Sequence, residues 1–130
     1  MHLVPVPSTL VDQHWQEVEG YVQKACKRGP LDGTPDEYKI NCERGFNQLW
    51  LVRHPNTNTC GAIVTGISSG VLEGLIVAGD DMPEWIHLLS QIEDWAREQG
   101  CSKVRAYTRK GMTKRMTTYS TRGIIIEKVL

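Results

Sequence analysis

Apolar positions change their period along this chain, and each change marks an element. Val11, Trp15, Val18, Val22 and Ala25 recur at helical spacing, with Asp12, Gln16, Glu19 and Gln23 on the opposite side. This predicts an amphipathic helix, capped at Ser8 or Thr9 and ended by Gly29-Pro30. Before it, Val4-Pro5-Val6-Pro7 reads as extended, because proline disfavours helix in the residue that precedes it. Thr34-Pro35-Asp36-Glu37 then starts a short second helix: threonine caps, proline takes the first turn, and Glu37 completes a capping box. That helix stops near Gly45.

Strand patterns follow. Positions 48–53 alternate up to the turn His54-Pro55-Asn56-Thr57-Asn58. Positions 60–67 are apolar and β-branched, Ser68-Ser69-Gly70 turns the chain, and 71–77 form a third run. Two hairpins in series make an antiparallel meander. The period then returns to that of a helix, with Trp85, Leu88, Leu89, Ile92, Trp95 and Ala96 on one face. Asp80 or Asp81 is placed to cap its start, and Gly100 suits its end. A strand at 103–108, a basic helix around 112–120 and a strand at 124–130 close the chain.

The order ααβββαβαβ specifies an α/β class domain with a mixed sheet and helices on its faces, one domain over 1–130. The run at 71–77, the long helix and the strand at 103–108 should form a parallel βαβ unit, whose natural binding crevice lies beyond the carboxyl ends of the two strands.

Composition narrows the function classes. Lysine plus arginine equals aspartate plus glutamate at 15 each, so no net field draws the chain to nucleic acid or to an anionic membrane. Its apolar runs are too short to span a bilayer, and Met1-His2-Leu3-Val4-Pro5 does not read as a signal peptide. Cys26, Cys42, Cys60 and Cys101 contain no C-x-x-C pair, and the histidines lack ligand spacing. These features read as a cytosolic, metal-free protein whose cysteines serve as small core residues. The set Arg105, Arg109, Lys110, Lys114, Arg115 and Arg122 is the most asymmetric feature, either a solvated face or a grip for a phosphate or an acidic partner. Trp50 and Tyr107 are strand aromatics, suited to the core or to a substrate cleft. Trp50 and the sheet edges also leave room for a homodimer beside a monomer.

The segment Leu88-Leu89-x-x-Ile92-Glu93-x-Trp95-Ala96-x-x-x-Gly100-Cys101 resembles the long helix of the GNAT superfamily of acyl-CoA-dependent N-acetyltransferases. Tyr119-Ser120-Thr121-Arg122-Gly123-Ile124 looks like that family's tyrosine, three residues, glycine ending, and the order of elements is similar over nearly the whole chain. Gly79-Asp80-Asp81-Met82-x-x-Trp85 is similar to short acetyltransferase-like proteins of bacteriophages. The resemblance implies a GNAT-like acyl-CoA N-acyltransferase fold, with acetyl-CoA between the strands at 71–77 and 103–108. It also implies a pyrophosphate contact at the backbone of Val77, Ala78 and Gly79. Tyr119 stands where the family places the acid that protonates the departing thiolate. Glu73 lies in the strand that often carries the base, and Met112 occupies the place of an asparagine that often contacts the cofactor.

One departure is chemical. Where the family has arginine or glutamine, x-x-glycine-x-glycine or alanine, this chain has Val77-Ala78-Gly79-Asp80-Asp81-Met82-Pro83-Glu84. One glycine remains, Pro83 offers no N–H, and three carboxylates crowd the place of the phosphates, each costing on the order of 1 kcal/mol or more. Two functions therefore stand side by side. The first is an N-acetyltransferase acting on a small-molecule or peptide amine. The second is a catalytically silent phage protein that binds another protein or serves as a minor virion component.

Overall fold

The computed structural model describes residues 1–28, 33–56, 58–107, 120–122 and 125–130. Within these, seven strands form one mixed sheet in the spatial order β1-β2-β3-β4-β5-β7-β6. Its strands are β1 (His2–Val6), β2 (Asn47–Arg53), β3 (Thr59–Ser68), β4 (Val71–Gly79), β5 (Lys103–Tyr107), β6 (Ser120–Arg122) and β7 (Ile125–Val129). The expected meander is β2-β3-β4, antiparallel throughout. The expected parallel unit is β4 and β5, in register from Val71↔Lys103 to Gly74↔Ala106.

Two expectations of order change. The extended opening is a true strand, paired antiparallel with β2 from His2↔Arg53 to Val6↔Leu49, so the chain begins with β rather than α. Pro5 fits there because β1 is an edge strand, where a missing ladder donor faces no partner. At the other end, Ser120 opens β6, which pairs antiparallel with β7, so the helix expected over 112–120 does not reach Ser120. The rest of that segment, with Met112 and Tyr119, lies outside the described residues.

Helices α1 (Val11–Arg28) and α2 (Pro35–Glu43) cover one face of the sheet. Val11, Trp15, Val18 and Val22 point into it and are buried as the period requires. Neither Ser8 nor Thr9 caps α1 through its side chain. The chain leaves β1 at Pro7, whose carbonyl accepts from the Leu10 N–H at 2.9 Å, so both residues lie inside a 3-10 turn instead of ahead of a helix. In α2 the threonine cap forms as read, with the Glu37 N–H donating to Thr34 Oγ1 at 3.3 Å, but the Glu37 carboxylate accepts from the Thr34 hydroxyl at 3.2 Å, not the backbone N–H of a full capping box.

On the opposite face the long helix is broken into α3 (Met82–Trp85), a 3-10 turn (Ile86–Leu88) and α4 (Leu89–Glu98). Trp85 causes the break. Its backbone turns to φ −123°, which seats a fully buried indole beside Gly61 and lets Nε1–H donate to the Asp80 carbonyl at 2.7 Å. The apolar stripe survives because Trp85, Leu88, Ile92 and Ala96 still face the sheet, joined there by Leu72, Val104 and Ile126. Each such buried side chain contributes about 1.5–3 kcal/mol. Cys60 and Cys101 are buried among these apolar side chains, and Cys42 is buried in the cluster beneath α1 and α2. No helix among the described residues is long and apolar enough to cross a membrane.

Candidate functional site

The site begins where two parallel strands stop pairing. Among the described residues, β4 and β5 pair as far as Gly74↔Ala106, while β4 continues to Gly79 paired with β3. Leu75 marks the divergence. Opposite β3, Thr65 pairs with Gly74 and Val64 with Ile76, so Leu75 is an extra residue without a partner, a β-bulge. A bulge bends its strand and increases local twist, which carries β4 away from β5.

Beneath α4, beside the point of divergence, lies a small cavity of about 20 Å³, room for little more than one water. Gly74 and Ala106 form the apex, and their small side chains leave it clear. Val77 lines one wall, Leu89 and Ile92 the roof, and two polar side chains, Thr65 and Glu93, interrupt the apolar lining. Glu93 is buried and accepts a hydrogen bond from Lys128 Nζ at 2.6 Å. Thr65 accepts from the Trp50 indole at 3.0 Å and donates to Gln48 at 2.9 Å. Neither residue stood out in the sequence. Glu93 lies four residues after Leu89 on the flank of the apolar stripe, a position at which a carboxylate signals a buried partner.

At the far end of the gap the β4–α3 loop has the amides of Asp80 and Glu84 in use. The Asp80 N–H is bonded to the Cys60 carbonyl at 2.8 Å. Antiparallel strands aim alternate amides at the same neighbour, so the amide of Ala78 also faces β3, and those of Val77 and Gly79 face the gap. The Glu84 N–H is bonded to the Asp81 carbonyl at 2.9 Å, and Pro83 has none to offer. Neither aspartate caps α3 through its side chain. The Asp80 carboxylate accepts from the Tyr21 hydroxyl at 2.9 Å instead, and Asp81 turns to φ +56° with its carboxylate 3.8 Å from His54 Nε2. Burial, then the hydrogen bond to and charge of Asp80, push the Tyr21 phenol from 10.0 up to about 12.

Glu73 stands one rung before the apex, opposite Arg105. Strand alternation directs its side chain to the face away from Leu72, Gly74 and α4. There it accepts a hydrogen bond from Tyr107, and that bond, followed by burial, holds the Tyr107 phenol above its ordinary value. Arg105 forks onto Glu127 Oε2 through Nε at 3.0 Å and Nη2 at 2.7 Å, and Lys103 reaches Oε1 at 3.3 Å. Arg105 therefore serves a buried carboxylate, while Arg109, Lys110, Lys114 and Arg115 lie outside the described residues. Trp50 neither lines the cleft nor offers a dimer surface. It is buried, with its ring edge-on to Trp95 at 5.3 Å, because Thr65 supplies an internal partner for its N–H.

No protein-family model and no curated protein sequence matches this chain. Solved structures do. An acetyltransferase of the GNAT family from Staphylococcus aureus superposes with a TM-score of 0.69 at 12% identity, over 98% of this chain and 99% of that one. The PaiA N-acetyltransferase from Thermoplasma acidophilum, in complex with coenzyme A, gives 0.67 at 12% identity over the whole of both chains. A ribosomal-protein-alanine N-acetyltransferase from Brucella melitensis gives 0.68 at 10% identity, again over 100% of both. The fold is that of the GNAT acyl-CoA N-acyltransferases.

That fold implies acyl-CoA, and the residues here meet the molecule unequally. The amides of Val77 and Gly79 face the gap between the parted strands and offer hydrogen bonds to an extended arm, whereas the cavity beneath α4 has room for about one water. The loop suits a pyrophosphate poorly: α3 is a single turn, Pro83 offers no N–H, and Asp80, Asp81 and Glu84 are exposed around it.

Proposed function

We propose that the chain is an N-acetyltransferase that admits an acetyl thioester into the gap between β4 and β5 and passes the acetyl group to an amine. One observation carries this reading: β4 and β5 part after Gly74 and Ala106, with the amides of Val77 and Gly79 turned toward the gap. Glu73, one rung before Gly74 and on the sheet face away from α4, accepts the proton that an amine approaching from that face releases as the C–N bond forms and the C–S bond breaks, and Tyr107 holds that carboxylate in place. Tyr119 returns a proton to the departing sulfur, and Met112 borders the same region; both roles follow from the family resemblance. The amides of Val77 and Gly79 face the arm, with Ala78 behind them. The acceptor is a small-molecule or peptide amine, in the cytoplasm.

Melting curves test the reading, because a ligand that binds only the folded state must raise the midpoint. Acetyl-CoA or S-acetylpantetheine at millimolar concentration should raise it. A midpoint that moves with neither ends the proposal. Given binding, Glu73→Gln should lower kcat by about 10²–10⁴-fold with thioester affinity unchanged. Unchanged turnover removes Glu73 from its role.

The crowded loop favours a second reading, in which the chain is catalytically silent and acts by binding another protein, as a phage-encoded or minor virion component would. It takes precedence if no thioester binds.

A further inference from the structure

We infer that Glu127 is a positioning residue for acetyl transfer: it engages Arg105 and Lys103, and so leaves Glu73 outside an ion pair and able to accept the proton of an incoming amine. This role rests on the acyltransferase reading above. Glu127 acts through Arg105 and not on the reacting atoms.

The sheet sets up a competition for one guanidinium. Glu73 on β4, Arg105 on β5 and Glu127 on β7 are direct partners in register, so they form one row across three strands, on the face away from α4. Neighbouring strands lie about 4.8 Å apart, which gives Arg105 a carboxylate within reach on either side. It turns to one of them. Nε at 3.0 Å and Nη2 at 2.7 Å both donate to Glu127 Oε2, and among the described residues Arg105 makes no ion pair with Glu73. Lys103 stands 3.3 Å from Glu127 Oε1, so each oxygen of that carboxylate has a cation.

Burial decides which carboxylate wins. Glu127 is 6% exposed, whereas Glu73 is only half-buried and keeps water to solvate its charge. A charge removed from water must be paired, so losing the arginine costs more at Glu127 than at Glu73. The Arg105 guanidinium and then Lys103 outweigh burial and hold the Glu127 carboxyl below its ordinary range, so it stays ionised and keeps its grip at neutral pH. Glu73 is left with the Tyr107 phenol, which donates to it and accepts from Arg105, a neutral group between the cation and the base. A phenol orients the carboxylate without cancelling its charge. A guanidinium would cover the oxygens that must take the proton.

Two experiments test this. The first needs no turnover: the Nε–H resonance of Arg105, followed by NMR in the wild type, Glu73→Gln and Glu127→Gln. Glu73→Gln alters a half-buried side chain and keeps its shape, and it should leave the resonance nearly in place, whereas Glu127→Gln should move it. A resonance that moves at least as far with Glu73→Gln shows a shared arginine and overturns the inference, and this arm stands even if Glu127→Gln does not fold. The second is acetyl transfer from acetyl-CoA to benzylamine and to an alanine-headed peptide. Glu127→Gln releases the arginine toward Glu73 and should lower kcat about tenfold with KM for acetyl-CoA within about twofold. Adding Arg105→Gln should restore kcat to within about threefold of wild type, a rescue that a merely structural pair would not give. A double variant no faster than Glu127→Gln, or a Glu127→Gln protein as fast as wild type, overturns the inference and leaves the acyltransferase reading standing. If the wild type binds no thioester, that reading falls and the role falls with it, while the resonances still show which carboxylate holds Arg105.

Discussion

A methyl group on Gly79 would lie 2.5 Å from the Cys60 carbonyl oxygen and 2.5 Å from the Gly61 Cα, on a backbone held at φ +155°. No rotamer relieves that overlap, since both contacts are with main chain. Gly79→Ala should therefore destabilise the protein by roughly 2–5 kcal/mol, the sum of a strained φ and overpacking. A urea midpoint indistinguishable from wild type would mean that β3 and β4 can separate there. Trp85 is the complementary case, a residue whose size and N–H are both used. Trp85→Phe keeps an aromatic ring but removes the donor to the Asp80 carbonyl, leaving that oxygen without its indole partner. The expected cost is about 1–3 kcal/mol, read from the same urea curves. The sequence showed that Trp85 faces the core. It did not show that satisfying the indole would bend the helix, because that depends on where a carbonyl five residues earlier comes to lie.

Elements with local causes were legible from the residues alone. The α2 threonine cap and the α1 stripe each follow from spacing within a short window, and the parallel partnership of β4 with β5 follows from the order of elements. Elements defined by distant partners were not. Pro5 discouraged a strand at β1, and only the edge position beside β2 makes one acceptable. Similarly, Asp80 and Asp81 have the chemistry of helix caps, but Tyr21 on α1 takes the first and a left-handed backbone turns the second aside. The Tyr21–Asp80 bond ties α1 to the loop across the sheet, and it has a pH signature. The phenol is raised from 10.0 to about 12, so folding favours its protonated form. Its contribution is full below about pH 10 and disappears as the pH climbs through about 12. Wild type should lose stability relative to Tyr21→Phe across that window, measured as the difference between their denaturant midpoints. Parallel curves for the two proteins would remove the tether.

For the whole molecule the decisive feature is the gap, and no single residue encodes it. It needs a parallel neighbour for β4, a bulge at Leu75, and small side chains at Gly74 and Ala106. The first was readable from the order of elements. The bulge was hidden, because Leu75 sits in an unbroken apolar run and its extra position exists only against the register of β3. Of the residues that the family resemblance singles out for the chemistry, Glu73 lies one rung before the apex with its side chain on the other face, and Tyr119 and Met112 lie outside the described residues. Gly74 offers a test that separates the gap from the fold. A methyl group there would stand 3.5 Å from the Ala106 Cβ, an ordinary contact, so Gly74→Ala should fold normally. Replacing glycine in a strand also removes backbone freedom from the unfolded chain, so stability should hold or rise by roughly 0.5–1 kcal/mol. Yet the added methyl narrows the point where the strands part, and one carbon too many in a fitted site costs about 10–200-fold. Pantetheine affinity should thus fall at least about tenfold while the melting temperature holds. Equal affinity for the two proteins would show that the arm lies elsewhere and that the parting of β4 from β5 is only a feature of the fold.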